Sequence, residues 1–311
     1  MMQTKNKLIK SSAGLLAAGA ILAAPRSQAQ GHWYAGAFST NQGAQLMEYT
    51  NAGSYVASSG YVYWLTYTNG GTYSNLYNGS SPTFTALGNG TSGNSDDTGS
   101  PYAAANGSFL WNNLVSLAGP ADGHFYFYDV DVYHSAHTAT NAPTYIIAVG
   151  NTPTNYLFAL SDPTYGAGQP GGDPFGHIHG RRYGVDKPGT YTLGLQVVDL
   201  STNGTGEGPL HTPSQIYYAT FQAGNFINAI TLNSNGASVR FPTLTSITNL
   251  AGKNTNAIYS LQVSTNLLDA SNWTLVATNT GNSYFQTLTD SNTSAGARFY
   301  RLKITGKGDP N

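Results

Sequence analysis

The sequence predicts an all-β protein built from β-sandwiches, and three observations carry the prediction. Asn-Gly pairs recur as turn signals, at Asn69-Gly70, Asn78-Gly79, Asn89-Gly90, Asn106-Gly107, Asn203-Gly204 and Asn235-Gly236. Between them lie runs rich in β-branched and aromatic residues, several of them alternating polar with apolar. No long helical periodicity occurs beyond about residue 29.

The first element is the exception to that pattern. Lys5, Lys7 and Lys10 precede an apolar run from Ala13 to Ala24, which Pro25 and Arg26 close. Ser27-Gln28-Ala29 follows as a small-x-small tripeptide. This order predicts a cleaved signal peptide over residues 1–29, hence export to the periplasm, the cell surface or the medium. The apolar run is far shorter than the roughly 20 residues that span a bilayer. No other long apolar run occurs, so no transmembrane segment is expected in the exported chain.

Composition then bounds the function. The chain holds 13 Lys+Arg and 14 Asp+Glu; without Lys5, Lys7, Lys10 and Arg26 the acidic residues outnumber the basic ones 14 to 9. Nucleic-acid binding needs a basic surface that releases counterions, so it is excluded as an expectation. Charged residues make up only 9% of the chain, which leaves Asn, Thr, Ser, Gly and Tyr to build the surface. There is no cysteine, so thiolate metal sites, disulfides and cysteine nucleophiles are absent.

The strand candidates run in order along residues 30–225, expected to form one histidine-containing sandwich. They are Tyr61–Tyr67, His124–Tyr133, Tyr145–Val149, Thr190–Val198 and Ile216–Phe221. Residues 82–109 and 163–176 read as long loops, which in compact folds are usually functional or mobile. A boundary is expected near residues 224–228. Residues 226–306 then form a second, smaller sandwich with strands at Ile258–Asn266, Trp273–Ala277, Tyr284–Asp290 and Arg298–Ile304, leaving 307–311 as a tail.

All seven histidines precede the second sandwich: His32, His124, His134, His137, His177, His179 and His211. His177-Ile178-His179 puts two imidazoles on one face if the segment is extended, since residues i and i+2 of a strand point the same way. His134-Ser135-Ala136-His137 has a spacing suited to a turn. His211 lies in Gly208-Pro209-Leu210-His211-Thr212-Pro213-Ser214, a turn-rich stretch that could bring a further ligand. With no cysteine available, imidazole and carboxylate must supply any transition-metal site. Imidazole suits Zn, Cu, Ni and Fe; zinc is the expected ion, with another divalent transition metal as the alternative. The candidate metal ligands are therefore His177, His179, His211, His134 and His137. An HxH pair alone is a weak signal, and a lone strand histidine is more often a hydrogen-bonding surface residue; His32 and His124 are read that way.

Two resemblances add to this reading. Residues 177–224 carry His177-Ile178-His179-Gly180-Arg181-Arg182-Tyr183, Lys187-Pro188-Gly189-Thr190-Tyr191-Thr192, Asp199 to Gly204, Gly208 to Ser214 and Phe221-Gln222-Ala223-Gly224. The set resembles PEP-CTERM surface proteins repressed by the zinc-uptake regulator, and more distantly the surface-anchored domains that accompany metal transporters. That resemblance implies a surface or periplasmic protein tied to zinc supply, with His177, His179 and His211 as the positions carried over. The final residues, Gly306 to Asn311, lack that family's sorting motif. Residues 229–305 are similar to the fibronectin- or immunoglobulin-like C-terminal module of Verrucomicrobia-type secreted proteins. The likeness rests on Tyr259 to Leu267, Trp273, Gly281, Asp290 and Phe299 to Leu302, and it implies a spacer or display module.

The expected function is a non-enzymatic, zinc-binding extracytoplasmic protein of metal homeostasis. The alternative is a carbohydrate-binding or adhesive surface protein with cell envelope or glycan as partner, drawn from 22 Tyr, 4 Trp and a low-charge surface. The plainer account of the tyrosines is packing inside the sandwich or across strands. A metallohydrolase is less favoured. Glu48 and Glu207 are the only glutamates, and no HExxH or Gly-x-Ser-x-Gly motif occurs.

Overall fold

A computed structural model describes residues 32–50, 54–55, 58–87, 102–130, 142–151, 156–161, 180–225, 227–234, 236–248, 250–268, 271–292 and 296–307. Among the described residues the regular structure is strand throughout, apart from one 3₁₀ turn at Thr205–Glu207. The all-β expectation therefore holds. No helix among them is long and apolar enough to cross a membrane.

The first set of strands is β1 (His32–Ala37), β2 (Leu46–Thr50), β3 (Ser54–Tyr55), β4 (Ser58–Thr68), β5 (Leu76–Gly79), β6 (Thr83–Ala86), β7 (Leu110–Ala118), β8 (His124–Tyr128), β9 (Tyr145–Ala148), β10 (Tyr156–Ala159), β11 (Arg182–Val185), β12 (Gly189–Asp199) and β13 (Tyr217–Ala223). The second set is β14 (Ala229–Asn233), β15 (Gly236–Pro242), β16 (Ser246–Thr248), β17 (Asn254–Ser264), β18 (Thr274–Thr280), β19 (Phe285–Asp290) and β20 (Phe299–Gly306).

The first set forms a small sheet in the order β3-β2-β1-β6 and a nine-stranded sheet in the order β10-β7-β12-β13-β4-β5-β11-β8-β9. Pairing is antiparallel except for β1 with β6 and β13 with β4. One continuous core joins the two sheets. Trp33, Ala35, Leu46 and Phe84 enter it from the small sheet, and Tyr63, Leu114, Phe125, Tyr183, Tyr191, Leu195, Tyr217 and Phe221 from the large one. β12 shows the two-residue period that produces this arrangement. Tyr191, Leu193, Leu195 and Val197 are buried, while Thr190, Thr192, Gln196 and Val198 lie on the other face, half-buried. Each large apolar side chain so buried contributes roughly 1.5–3 kcal/mol. The fully buried tyrosines Tyr183, Tyr191 and Tyr217 belong to this core.

The second set forms a β14-β15-β19 sheet and a β16-β17-β18 sheet with β20 on the other edge of β17. Its separate core holds Val239, Phe241, Ala257, Tyr259, Leu261 and Leu288. Gly281 is required there, because a Cβ at that position would lie 1.7 Å from the Leu244 carbonyl oxygen.

Two local expectations are corrected. Asn78-Gly79 is not a turn but part of β5; the Asn78 amide donates to Thr68 Oγ1 at 2.7 Å and its Oδ1 accepts from Arg182 at 2.7 Å. The 82–109 stretch contains strand β6, and Leu87 and Ala103 pack with Tyr34 and Tyr49 in a second small cluster of the β1–β2 sheet. A run of Ser, Thr and Gly hid the few apolar residues that anchor it.

Candidate functional site

A buried ion pair lies close in sequence to the stretches that carry four of the candidate ligands. β8 and β11 run antiparallel with Tyr128 opposite Arg182. The residues just beyond this pairing, Asp129 and Arg181, therefore emerge side by side. Arg181 Nε donates to Asp129 Oδ1 at 2.8 Å, and both side chains are almost fully buried. Arg181 Nη2 also donates to the Ala159 carbonyl at 2.8 Å, and its guanidinium lies 5.1 Å from the centroid of the Phe158 ring. Adjacent Arg182 points the opposite way, as the pleat dictates, and sits over the Tyr73 ring at 4.7 Å.

Further bonds draw the neighbouring chain together at the same place. The Asp129 backbone N–H donates to Thr144 Oγ1 at 2.8 Å, and the Thr144 N–H to the Phe127 carbonyl at 2.7 Å. Ser161 Oγ accepts from the Leu110 N–H at 2.9 Å. Gly180 adopts a φ of +100°, a left-handed value that favours glycine, and a Cβ there would lie 3.8 Å from Val130. Val130, Thr144, Ala159 and Gly180 thus gather around one arginine. Val130 and Gly180 border the two stretches of sequence, 131–141 and 162–179, that contain His134, His137, His177 and His179, and Thr144 and Ala159 lie within three residues of their other ends. Those four histidines lie outside the described residues.

His211 is described, and it is buried with both ring nitrogens engaged. Nδ1 donates to the Ala44 carbonyl at 2.9 Å, and Nε2 accepts from the Ala105 N–H at 2.8 Å. This pattern fixes the neutral Nδ1–H tautomer. A metal ion at either nitrogen would have to displace one of these bonds. Asp199 holds the surrounding backbone: its Oδ1 accepts from Phe109 and Ser201 N–H, and its Oδ2 from Leu210 and His211 N–H, at 2.9–3.1 Å. His124 Nδ1 donates to Asp186 Oδ2 at 2.8 Å, at the far end of β8 from Asp129. The ring of His32 stacks on Tyr34 with centroids 6.0 Å apart. Among the described residues no group of three or more His, Asp or Glu side chains gathers as a metal site.

Sequence reasoning passed over a buried ion pair and a buried carboxyl group. Arg181–Asp129 gave no signal because its partners are 52 residues apart. Glu48 gave one: it shares the inward phase of β2 with Leu46, at 1% and 0% exposure. The Glu48 carboxyl oxygens are buried without a hydrogen bond. Burial pushes its pKa well above the usual carboxylate range, and the Tyr217 hydroxyl offsets this only in part. That hydroxyl is committed to Asn112 Oδ1 at 2.6 Å.

Comparison with protein-family models, curated proteins and solved structures finds no match.

Proposed function

We propose that this is an exported, non-enzymatic zinc-binding protein of bacterial metal homeostasis, acting in the periplasm, at the cell surface or in the medium. The observation that carries the reading is the Arg181–Asp129 pair. Around it gather Val130 and Gly180, each adjacent to a histidine-pair stretch, and Thr144 and Ala159, each within three residues of one. His179 is the residue before Gly180, and His134 is four residues beyond Val130. The ion pair thereby lies beside Val130 and Gly180, the described residues that flank one end of each stretch.

The ligands in this reading are His177 and His179 with His134 and His137, a set sufficient for a tetrahedral zinc ion. His211 serves as a strut, its ring tying residues 44 and 105 together. Imidazole must be neutral to bind, so affinity falls as pH drops below about 6.5. The second sandwich acts as a spacer or display module.

Isothermal titration of Zn²⁺ into the purified protein tests the reading. Both double variants, His177→Ala/His179→Ala and His134→Ala/His137→Ala, should weaken binding by about 10–100-fold, and His211→Asn should act on stability instead. If the wild type binds no more tightly than these double variants, the proposal is wrong.

A further inference from the structure

The two sets of sheets touch, and a groove opens beside the contact. Tyr61 forms a backbone bridge to Tyr284, and the Val62 N–H donates to the Ser283 carbonyl at 2.8 Å. Trp64 Nε1 donates to the Thr243 carbonyl at 3.0 Å. The groove, about 470 Å³, has Thr190, Thr192 and Thr220 of the large sheet on one side. Asn228, Arg240 and Phe285 of the second set stand on the other.

The threonines form a patterned surface. Thr192 lies directly opposite Thr220 in the β12–β13 register, and Thr190 is one pleat further along the same face. Neighbouring hydroxyls are thus spaced about 5 Å across strands and about 7 Å along them. Thr190 Oγ1 donates to Gln222 Oε1 at 2.7 Å and still presents lone pairs. Facing this floor, the Arg240 guanidinium lies 3.9 Å from the Phe285 ring centroid, and its Nη1 donates to Asn228 Oδ1 at 2.9 Å. Stacking and this single bond hold the fork in place while the remaining N–H groups keep their capacity to donate. No carboxylate is among the described residues that line the groove.

We infer that this groove binds an acidic saccharide of the hexuronate type. A planar guanidinium held by stacking is suited to take a carboxylate through two parallel hydrogen bonds. The threonine rows offer donors and acceptors at spacings that suit sugar hydroxyls. The volume lies within the usual range of small-molecule sites and is much larger than a bare anion fills. The site uses none of the histidines, so it stands apart from the zinc reading.

The test is a titration of purified protein, in EDTA, with tetragalacturonate, with neutral maltotetraose and with sodium sulfate. Tetragalacturonate should bind about tenfold or more tightly than either of the others. Arg240→Gln should remove that preference, and Thr192→Val/Thr220→Val should weaken tetragalacturonate by at least about threefold. Both sets of substitutions sit on exposed or half-buried strand positions, Thr→Val keeps the side-chain shape, and circular dichroism checks that the fold persists. The inference is overturned if tetragalacturonate does not bind, if sulfate or maltotetraose binds equally well, or if Arg240→Gln leaves the preference intact. The chelator keeps this outcome independent of any zinc site.

Discussion

Each set of sheets buries a carboxylate to within 4% of full enclosure, Glu48 in the first and Asp290 in the second, and the two are driven in opposite directions. Asp290 is surrounded by donors. Its Oδ2 accepts from Arg298 Nη2, from Arg298 Nε at 3.1 Å and from Tyr300 Oη at 3.1 Å, and its Oδ1 from the Asn292 N–H at 3.1 Å. Burial pulls its pKa upward, yet these bonds outweigh burial and hold it below the usual value. Glu48 is desolvated more strongly, its carboxyl oxygens make no hydrogen bond, and its pKa rises. The charge state of each acid follows from the balance between its desolvation and the donors aimed at it.

The two acids also give the two regions opposite pH dependence. For Glu48 the folded pKa lies above the unfolded one. Stability tied to it is fully present below about pH 4.3 and is lost as pH rises toward the folded value. For Asp290 the folded pKa lies below the unfolded one. Its contribution is present above about pH 3.9 and is lost as pH falls through the folded value.

The strongest way to break the comparison is to remove the partner of a buried charge in the first set of sheets. Arg181→Met leaves Asp129 enclosed without its guanidinium and should cost about 3–5 kcal/mol in urea unfolding at pH 7. A loss below about 1 kcal/mol would mean that Asp129 tolerates burial as Glu48 does. Next in size, Asp290→Ala strands the Arg298, Tyr300 and Asn292 donors and should cost about 2–4 kcal/mol at pH 7, with a smaller loss at pH 3. The smallest effect sharpens the contrast most. Glu48→Gln mimics the protonated acid and should stabilise the protein by about 0.5–2 kcal/mol at pH 8 and by nothing measurable at pH 4. Equal effects at both pH values would show that the gain comes from packing rather than from charge.

Much of the strand pattern is legible in the amino-acid order. Tyr61–Tyr67, Thr190–Val198 and Ile258–Asn266 each fall largely within a single strand, because alternation and β-branching mark a half-buried pleat wherever it occurs. The misreadings share a cause. Asn78-Gly79 carries turn chemistry but is held in β5 by Thr68 and by Arg182, 104 residues further along. β6 is four residues long, pairs in parallel with β1 and has too few residues to show a period. Among the candidate ligands, His211 looks in sequence like any loop histidine; the two backbone partners that saturate it come from residues 44 and 105.

The sequence alone determined the all-β class, the acidic balance once residues 1–29 are set aside, the exclusion of thiol chemistry and the confinement of every histidine to the region before residue 212. These follow from composition and from periods of two, both local properties of the chain. Only the tertiary structure decided which charges are compensated. It brought Arg181 to Asp129, gave Asp290 its donors, left the Glu48 oxygens without a hydrogen bond, and set Arg240 across a groove from Thr192 and Thr220. A hydrogen bond requires two groups within about 3 Å, and only folding brings Arg181 to that distance from Asp129, 52 residues away, and aims Arg298 and Tyr300 at Asp290.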